Sequence, residues 1–192
     1  MHTLRQFAAR TASPAVRLLC LALCAVGVAR AEPGLVPVLN TYWLVIHVAA
    51  AITAGGVFTV SFVATVLYRV KLRAERTGRG SRRYAGHLPS SDALNRVSHT
   101  ALLFGFPIWT FAVIAGAIWA ENSWGRYWGW DPKETWAFIT WVMYAAYLHA
   151  EATAGWRGTE ASWFALLGYA AFIFNFFGVN LWITGLHSYA GV

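Results

Sequence analysis

The chain has 192 residues, 58% hydrophobic and 12% charged, with a formal net charge of +7. That is too apolar for a water-soluble domain of this size. Eight of the fifteen basic residues fall between positions 69 and 96, so the charge reads as a membrane-topology signal and argues against a nucleic-acid partner. The sequence has no zinc-ligand spacing, phosphate-cradling glycine loop or hydrolase elbow, which sets aside those enzyme classes.

Residues 1–31 place Arg5, Arg10 and Arg17 ahead of an apolar run from Leu18 to Ala29, closed by Ala29-Arg30-Ala31. A basic start, a short apolar core and an A-x-A ending describe a signal peptide. A retained anchor stays open, because Arg17 and Arg30 can reach opposite interfaces. Cys20 and Cys24, the only cysteines, fall inside this run and match neither a CxxC redox pair nor a CxxCH haem attachment. Residues 32–40 carry Pro33, Gly34 and Pro37 and read as a linker.

Four transmembrane helices follow, at about 43–68, 100–120, 132–150 and 162–184, defining an all-α integral membrane protein. Gly55-Gly56 in the first allows close helix contact, and Pro107 in the second should kink it. A basic loop, 69–98, joins these two and should be cytoplasmic. An aromatic loop, 121–131, is then external. The third helix has a marked start: Asp131 as N-cap, Pro132 at the first helical position and Glu134 closing a capping box.

The stretch Trp124–Trp136 holds four Trp and one Tyr beside Gly and Asp131. Scattered rings would make an ordinary interfacial belt; this concentration suits a flat apolar ligand. The same topology brings His47 and His187 to the level of the aromatic loop. Two neutral imidazoles can ligate a haem iron from opposite sides, and Trp124, Trp128 and Trp130 can stack or wedge against the porphyrin. Arg126 and Lys133 can meet propionates or lipid phosphates. His149 lies roughly 20 Å beyond Trp136 at 1.5 Å per residue, a depth at which an ionisable group is a functional candidate. The bland reading is a neutral histidine bonded to a carbonyl. His87 and His99 read as solvated or interfacial.

Trp-Gly-x-x-Trp-x-Trp-Asp at Trp124–Asp131 resembles the tryptophan-rich (WWD) signature of membrane cytochrome c biogenesis proteins. Its continuation, Pro132-Lys133-Glu134-Thr135-Trp136-Ala137 and then Ile139-Thr140-Trp141, is similar to the CcsA (ResC) branch of system II, more than to CcmC or CcmF. Tyr42-Trp43-Leu44-x-Ile46-His47-Val48, Tyr147-Leu148-His149, Phe174-Asn175 with Gly178-Val179-Asn180, and Gly185-Leu186-His187-Ser188-Tyr189-Ala190-Gly191 add to the match. The resemblance implies haem b as the cofactor, with His47 and His187 as axial ligands of the iron. It implies a haem platform at Trp124, Trp128, Trp130 and Asp131, and an intramembrane haem site at His149. It further implies a bacterial inner-membrane protein with a periplasmic Trp-rich loop. Reduced haem would be presented there to the CxxCH thiols of apocytochrome c, beside a CcsB (ResB)-like membrane partner and a thiol-reducing thioredoxin-like protein. Family members usually carry more helices before the segment matching Trp43, and no upstream histidine here completes the inner site: either the partner supplies it, or this chain is a shortened form or has a misplaced start. The alternative function is a b-type haem electron-transfer subunit; a third is a non-catalytic subunit anchored by its aromatic stretch.

Overall fold

The computed structural model describes residues 41–77, 87–153 and 155–187. The expectations for residues 1–40, among them the signal-like run with Cys20 and Cys24, lie outside these. All regular structure among the described residues is helical: α1 Tyr42–Thr77, α2 Ser91–Trp124, α3 Pro132–Ala152, α4 Ala161–Ile173 and a short α5 Val179–Trp182, with a π-helical turn, Phe174–Gly178, joining the last two.

The helices form an antiparallel ring in which each packs on the next and α4 returns to α1. Contacts fix the directions. His47 of α1 meets Ala112 of α2, and Ser61, further along, meets Ser98. Trp109 of α2 meets Ala137 of α3, and His99 meets Tyr147. Thr59 of α1 meets Tyr169 of α4, and Arg69 meets Ser162. The start of α1, the end of α2, the start of α3 and the end of α4 therefore share one end of the bundle.

The centre is aromatic. Phe58, with no exposed surface, packs on Tyr144 at 4.1 Å and on Phe172 at 5.8 Å, and Trp109 meets Phe172 edge-on at 5.6 Å. Such pairs contribute about 0.5–1.5 kcal/mol each beyond their area. Gly55 lets Phe172 approach: a Cβ there would stand 2.6 Å from the ring, whereas at Gly56 it would meet nothing within 4 Å. Close contact belongs to only one of the two glycines. Ser61, Thr65 and Ser98 form a buried hydroxyl cluster that bonds α1 to α2, the kind of polar glue helices use in lipid. Val45, Ile52, Val60, Val63, Phe104 and Phe111 point outward, an apolar exterior suited to lipid.

Among the described residues, three helices are long and apolar enough to cross a membrane: Tyr42–Thr77, Ser91–Trp124 and Ala161–Trp182. The expected four are thus three by this measure. α3 has the length at 21 residues, but Trp, Tyr, Thr, His, Lys and Glu dilute its apolar character. The reading of 69–98 as a loop is also too broad. α1 runs on to Thr77 and α2 starts at Ser91. The basic residues continue α1: Arg69 lies 3.9 Å over Trp163 and donates to Ser162 Oγ and the Thr159 carbonyl, and Lys71 pairs with Glu75. Ser91 Oγ donates to Glu75 and ties the two helix ends together. α2 passes through Pro107 as one helix.

Candidate functional site

The shared end of the bundle is built around Asp131. Its carboxylate is the N-cap of α3: Oδ2 accepts from the Lys133 N–H, Glu134 answers by accepting the Asp131 N–H, and Pro132 takes the first turn. The same carboxylate reaches across to the C-terminal segment. Oδ1 accepts from the Leu186 N–H at 2.9 Å, and Oδ2 accepts from His187 Nδ1 at 2.8 Å. A helix cap and a histidine anchor are thus one group.

Burial alone would raise the Asp131 carboxyl, but the Leu186 N–H, His187 and the Lys133 N–H together hold it below its ordinary value. For His187, burial is the larger cause and outweighs the pull of Asp131, so the ring is held below the ordinary imidazole value. The pair is therefore a neutral imidazole donating Nδ1–H to an ionised carboxylate. Nε2 keeps its lone pair.

His47 is arranged in the same way by different means. Its Nδ1 lies 2.8 Å from the Ala112 carbonyl. A carbonyl only accepts, so Nδ1 carries the proton and Nε2 the lone pair. Room for the ring comes from Gly116, where a Cβ would stand 2.7 Å from Nδ1. Trp119, one turn further along α2, touches both imidazoles. Its ring centre is 6.3 Å from His47 and 5.6 Å from His187. Trp124 packs edge-on against Trp119 at 4.8 Å and against His187 at 4.9 Å.

The aromatic loop divides in two. Trp124 belongs with Trp119 and His187. Trp128 and Trp130 pack on each other and on Phe138 of α3, forming a second cluster. Between the two lies Gly125, the left-handed C-cap of α2, with φ of 68°. Trp130 has φ of 57°, a left-handed conformation that costs a bulky residue about 1–3 kcal/mol. Glu134 holds it there: Oε2 accepts the N–H of Gly129 at 2.8 Å and that of Asp131 at 3.0 Å, one on each side of Trp130. Arg126 lies 3.7 Å from the same oxygen and fills the space a side chain at Gly129 would take. It is turned toward this clasp. Lys133 donates instead to Asn180 and so ties α3 to α5.

Glu134→Ala removes the acceptor for two N–H groups and the charge facing Arg126. We expect a loss of about 1–3 kcal/mol for each group left buried without a partner, seen as a lower thermal midpoint of the purified chain. Glu134→Gln keeps one acceptor oxygen and should lose clearly less.

His149 lies in the last turn of α3, exposed, at the far end of that helix from Asp131. The structure brings His47, His187, Asp131 and Trp124 together and leaves His149 apart. His99 is half-buried, with Nδ1 3.4 Å from the Tyr147 hydroxyl, so a solvated reading does not fit it. Sequence reasoning missed Trp119, Gly116 and the Glu134 clasp. For the first two, the available signal was the spacing of Ala112, Gly116 and Trp119, which puts all three on one helical stripe.

Membrane-length apolar helices define, among the described residues, an all-helical integral membrane protein with a histidine–carboxylate pair in the aromatic end of its bundle. The sequence profile of the family described as "Cytochrome C assembly protein" matches residues 2–187. The chain belongs to this family, as a CcsA-type member. It is 37% identical to the cytochrome c biogenesis protein CcsA of Guillardia theta, over 81% of this chain and 56% of that protein. The CcsA of Synechococcus elongatus is 38% identical, over 83% and 61%. That of Chlamydomonas reinhardtii is 37% identical, over 81% and 42%. The chain therefore spans roughly half the length of these relatives.

Proposed function

We propose that this chain serves cytochrome c maturation by holding haem b at the aromatic end of the bundle, with His47 and His187 as the axial ligands. The observation that carries this reading is the pair of imidazoles. Each is tethered through Nδ1, to Ala112 and to Asp131, and each keeps the Nε2 lone pair that iron needs. Two histidines suit an iron whose other ligands come from a porphyrin, and no group of three or more His, Cys, Asp or Glu among the described residues could hold a bare ion.

Bound haem supplies vinyl groups, across which the S–H of each CxxCH thiol of apocytochrome c adds. The chain's own residues bind and orient. Two neutral nitrogen donors, with Trp119 and Trp124 excluding water around them, set the redox balance of the iron. No side chain in the site acts as nucleophile, so the contribution is positioning of vinyl beside thiol. The aromatic end faces the periplasm of a bacterial inner membrane, and the basic end of α1 faces the cytoplasm. His149, at that inner end, joins an intramembrane haem site completed by a CcsB (ResB)-like membrane protein. A thioredoxin-like protein keeps the thiols reduced. Trp128 and Trp130 form the outer rim against which the porphyrin edge or the apocytochrome rests.

The test is a haem spectrum of the chain purified with its membrane partner, together with complementation of a deletion strain. Loss of all c-type cytochromes on deletion, restored by the chain and its partner, is the expected result. A haem-loaded chain whose deletion leaves c-type cytochromes intact would favour the b-type electron-transfer reading. Absence of haem from the intact complex would favour an anchoring subunit.

One further variant probes the site apart from the fold. Gly116→Ala adds a methyl group against the His47 ring while improving helix propensity by about 1 kcal/mol. Haem occupancy should fall by on the order of tenfold or more, the scale of disturbed ligand support. Helix content by circular dichroism should stay unchanged. Undiminished haem would show that His47 does not need its place against Ala112.

A further inference from the structure

Trp119 lies outside the Trp-rich signature, on α2, and its indole is only 1% exposed. It is a buried ring in contact with both candidate ligands. Its plane is within 6° of the His47 plane and is inclined by 57° to the His187 plane. The two imidazole planes are therefore inclined to each other by 57°, give or take 6°. Neither tether fixes that angle alone. A hydrogen bond at Nδ1 holds one atom of the ring and leaves rotation about it; a packed indole removes that freedom.

The orientation of the indole also limits what it can do. An imidazole that ligates haem iron stands perpendicular to the porphyrin. Trp119, nearly parallel to His47, must then stand on edge to the porphyrin as well. It cannot lie flat beneath it. Its place is a wall behind the ligands. Ala112, Gly116 and Trp119 follow one stripe of α2. The first accepts a hydrogen bond from His47 Nδ1, the second clears space for the ring, and the third lies nearly parallel to it and inclined to His187.

We propose that Trp119 is the positioning residue of the haem site, a shared support that locks the two axial imidazoles in inclined planes and so sets the electronic structure of the bound iron. This rests on the reading of His47 and His187 as the axial pair. The angle between ligand planes governs how the iron d orbitals overlap the imidazole π systems. In low-spin ferric haem it therefore governs the spread of the electron paramagnetic resonance g-values. Parallel planes give a well-resolved rhombic pattern; crossed planes move the largest g-value upward.

The experiment compares the ferric spectrum of the full chain with its membrane partner for wild type, Trp119→Phe and Trp119→Leu, with haem content measured in parallel. Wild type should show the displaced largest g-value of inclined planes. Trp119→Phe should stay close to it, because a flat ring remains. Trp119→Leu should retain low-spin haem with a shifted and broadened pattern, or lose haem that Trp119→Phe keeps. Two outcomes overturn the proposal: a g-pattern in Trp119→Leu identical to wild type, or loss of haem from both variants at normal levels of folded chain. His47→Gly and His187→Gly serve as the control for the underlying reading. If both keep wild-type haem, the axial assignment fails. If both lose it while Trp119→Leu is spectrally silent, only the role of Trp119 fails.

Discussion

His187→Gly or His47→Gly should each abolish the haem absorption of the purified complex, and added imidazole should restore it. The expectation follows from how each ring is held. Glycine removes the donor nitrogen and leaves a ring-sized space beside Trp119 with its hydrogen-bond acceptor intact, Asp131 in one case and Ala112 in the other. Free imidazole can donate to that acceptor and offer its second nitrogen to iron. The effect should be close to complete, because one remaining ligand leaves iron five-coordinate and open to water. Haem retained at wild-type levels in both variants, with unchanged spectra, would falsify the axial assignment. The pH dependence has a defined sign. His187 is lowered from the ordinary 6.5, chiefly by burial. As pH falls, the unfolded chain takes up its proton first. The group's stabilising contribution is complete above 6.5 and is lost as pH drops from there toward the folded value. Ligation needs the same neutral ring. Haem occupancy should thus hold steady from about pH 8 down to about 6.5 and decline only below that range; a loss beginning above it would contradict the assignment.

Asp131→Asn carries the second large effect, and its value lies in how little it changes in shape. The carboxylate accepts three hydrogen bonds, from Lys133 N–H, Leu186 N–H and His187 Nδ1. An asparagine has one acceptor oxygen and must turn its NH2 toward either Leu186 or His187. Asparagine is as good an N-cap as aspartate, so α3 should begin where it does now when the amide oxygen stays on the side of Lys133 and His187. If NH2 faces Leu186, two donors meet and the C-terminal segment is pushed away. If it faces His187, it also faces the Lys133 N–H and gives up the capping bond, while Nδ1 becomes the acceptor and the ring proton moves to Nε2, the nitrogen iron requires. Either way haem binding should weaken, by on the order of 10–100-fold, as when a partner behind a metal-bound histidine is lost. Asp131→Ala should lose the same haem and, in addition, about 0.5–2 kcal/mol of capping. Haem titration checks the first effect and thermal unfolding separates the second. Equal haem affinity in wild type and Asp131→Asn would remove Asp131 from the site and leave it as a cap.

The parts of this architecture visible in the sequence are those set by local chemistry. Asp131-Pro132-x-Glu134 specifies the start of α3 because cap, first-turn proline and reciprocal carboxylate are all short-range. The gathering of His47, His187 and the aromatic loop at one end follows from helix count and alternating direction. What could not be read depends on contacts across helices or on single backbone angles. The extension of α1 to Thr77 looks like a loop by composition, since nothing local shows that Arg69 will lie on Trp163. The backbone of the aromatic loop has left-handed residues at Gly125 and at Trp130, and at the second the sequence offers tryptophan and not the glycine such an angle favours. Nor does the sequence show that Arg126 lies against Glu134.

The π turn at Phe174–Gly178 has a consequence for everything after it. There the Val179 N–H bonds to the carbonyl of Phe174, five residues back, in place of the usual four. One residue has in effect been inserted into the coil, which advances the angular phase of the downstream chain by about 100° relative to α4. Asn180, which receives Lys133, lies on α5 beyond this turn, and Leu186 and His187, which meet Asp131, follow in the non-helical segment after α5. The segment is a phase adjuster: α4 and α5 need not present the same face, so one wide turn lets α4 keep its outward side while Asn180 of α5 turns to Lys133.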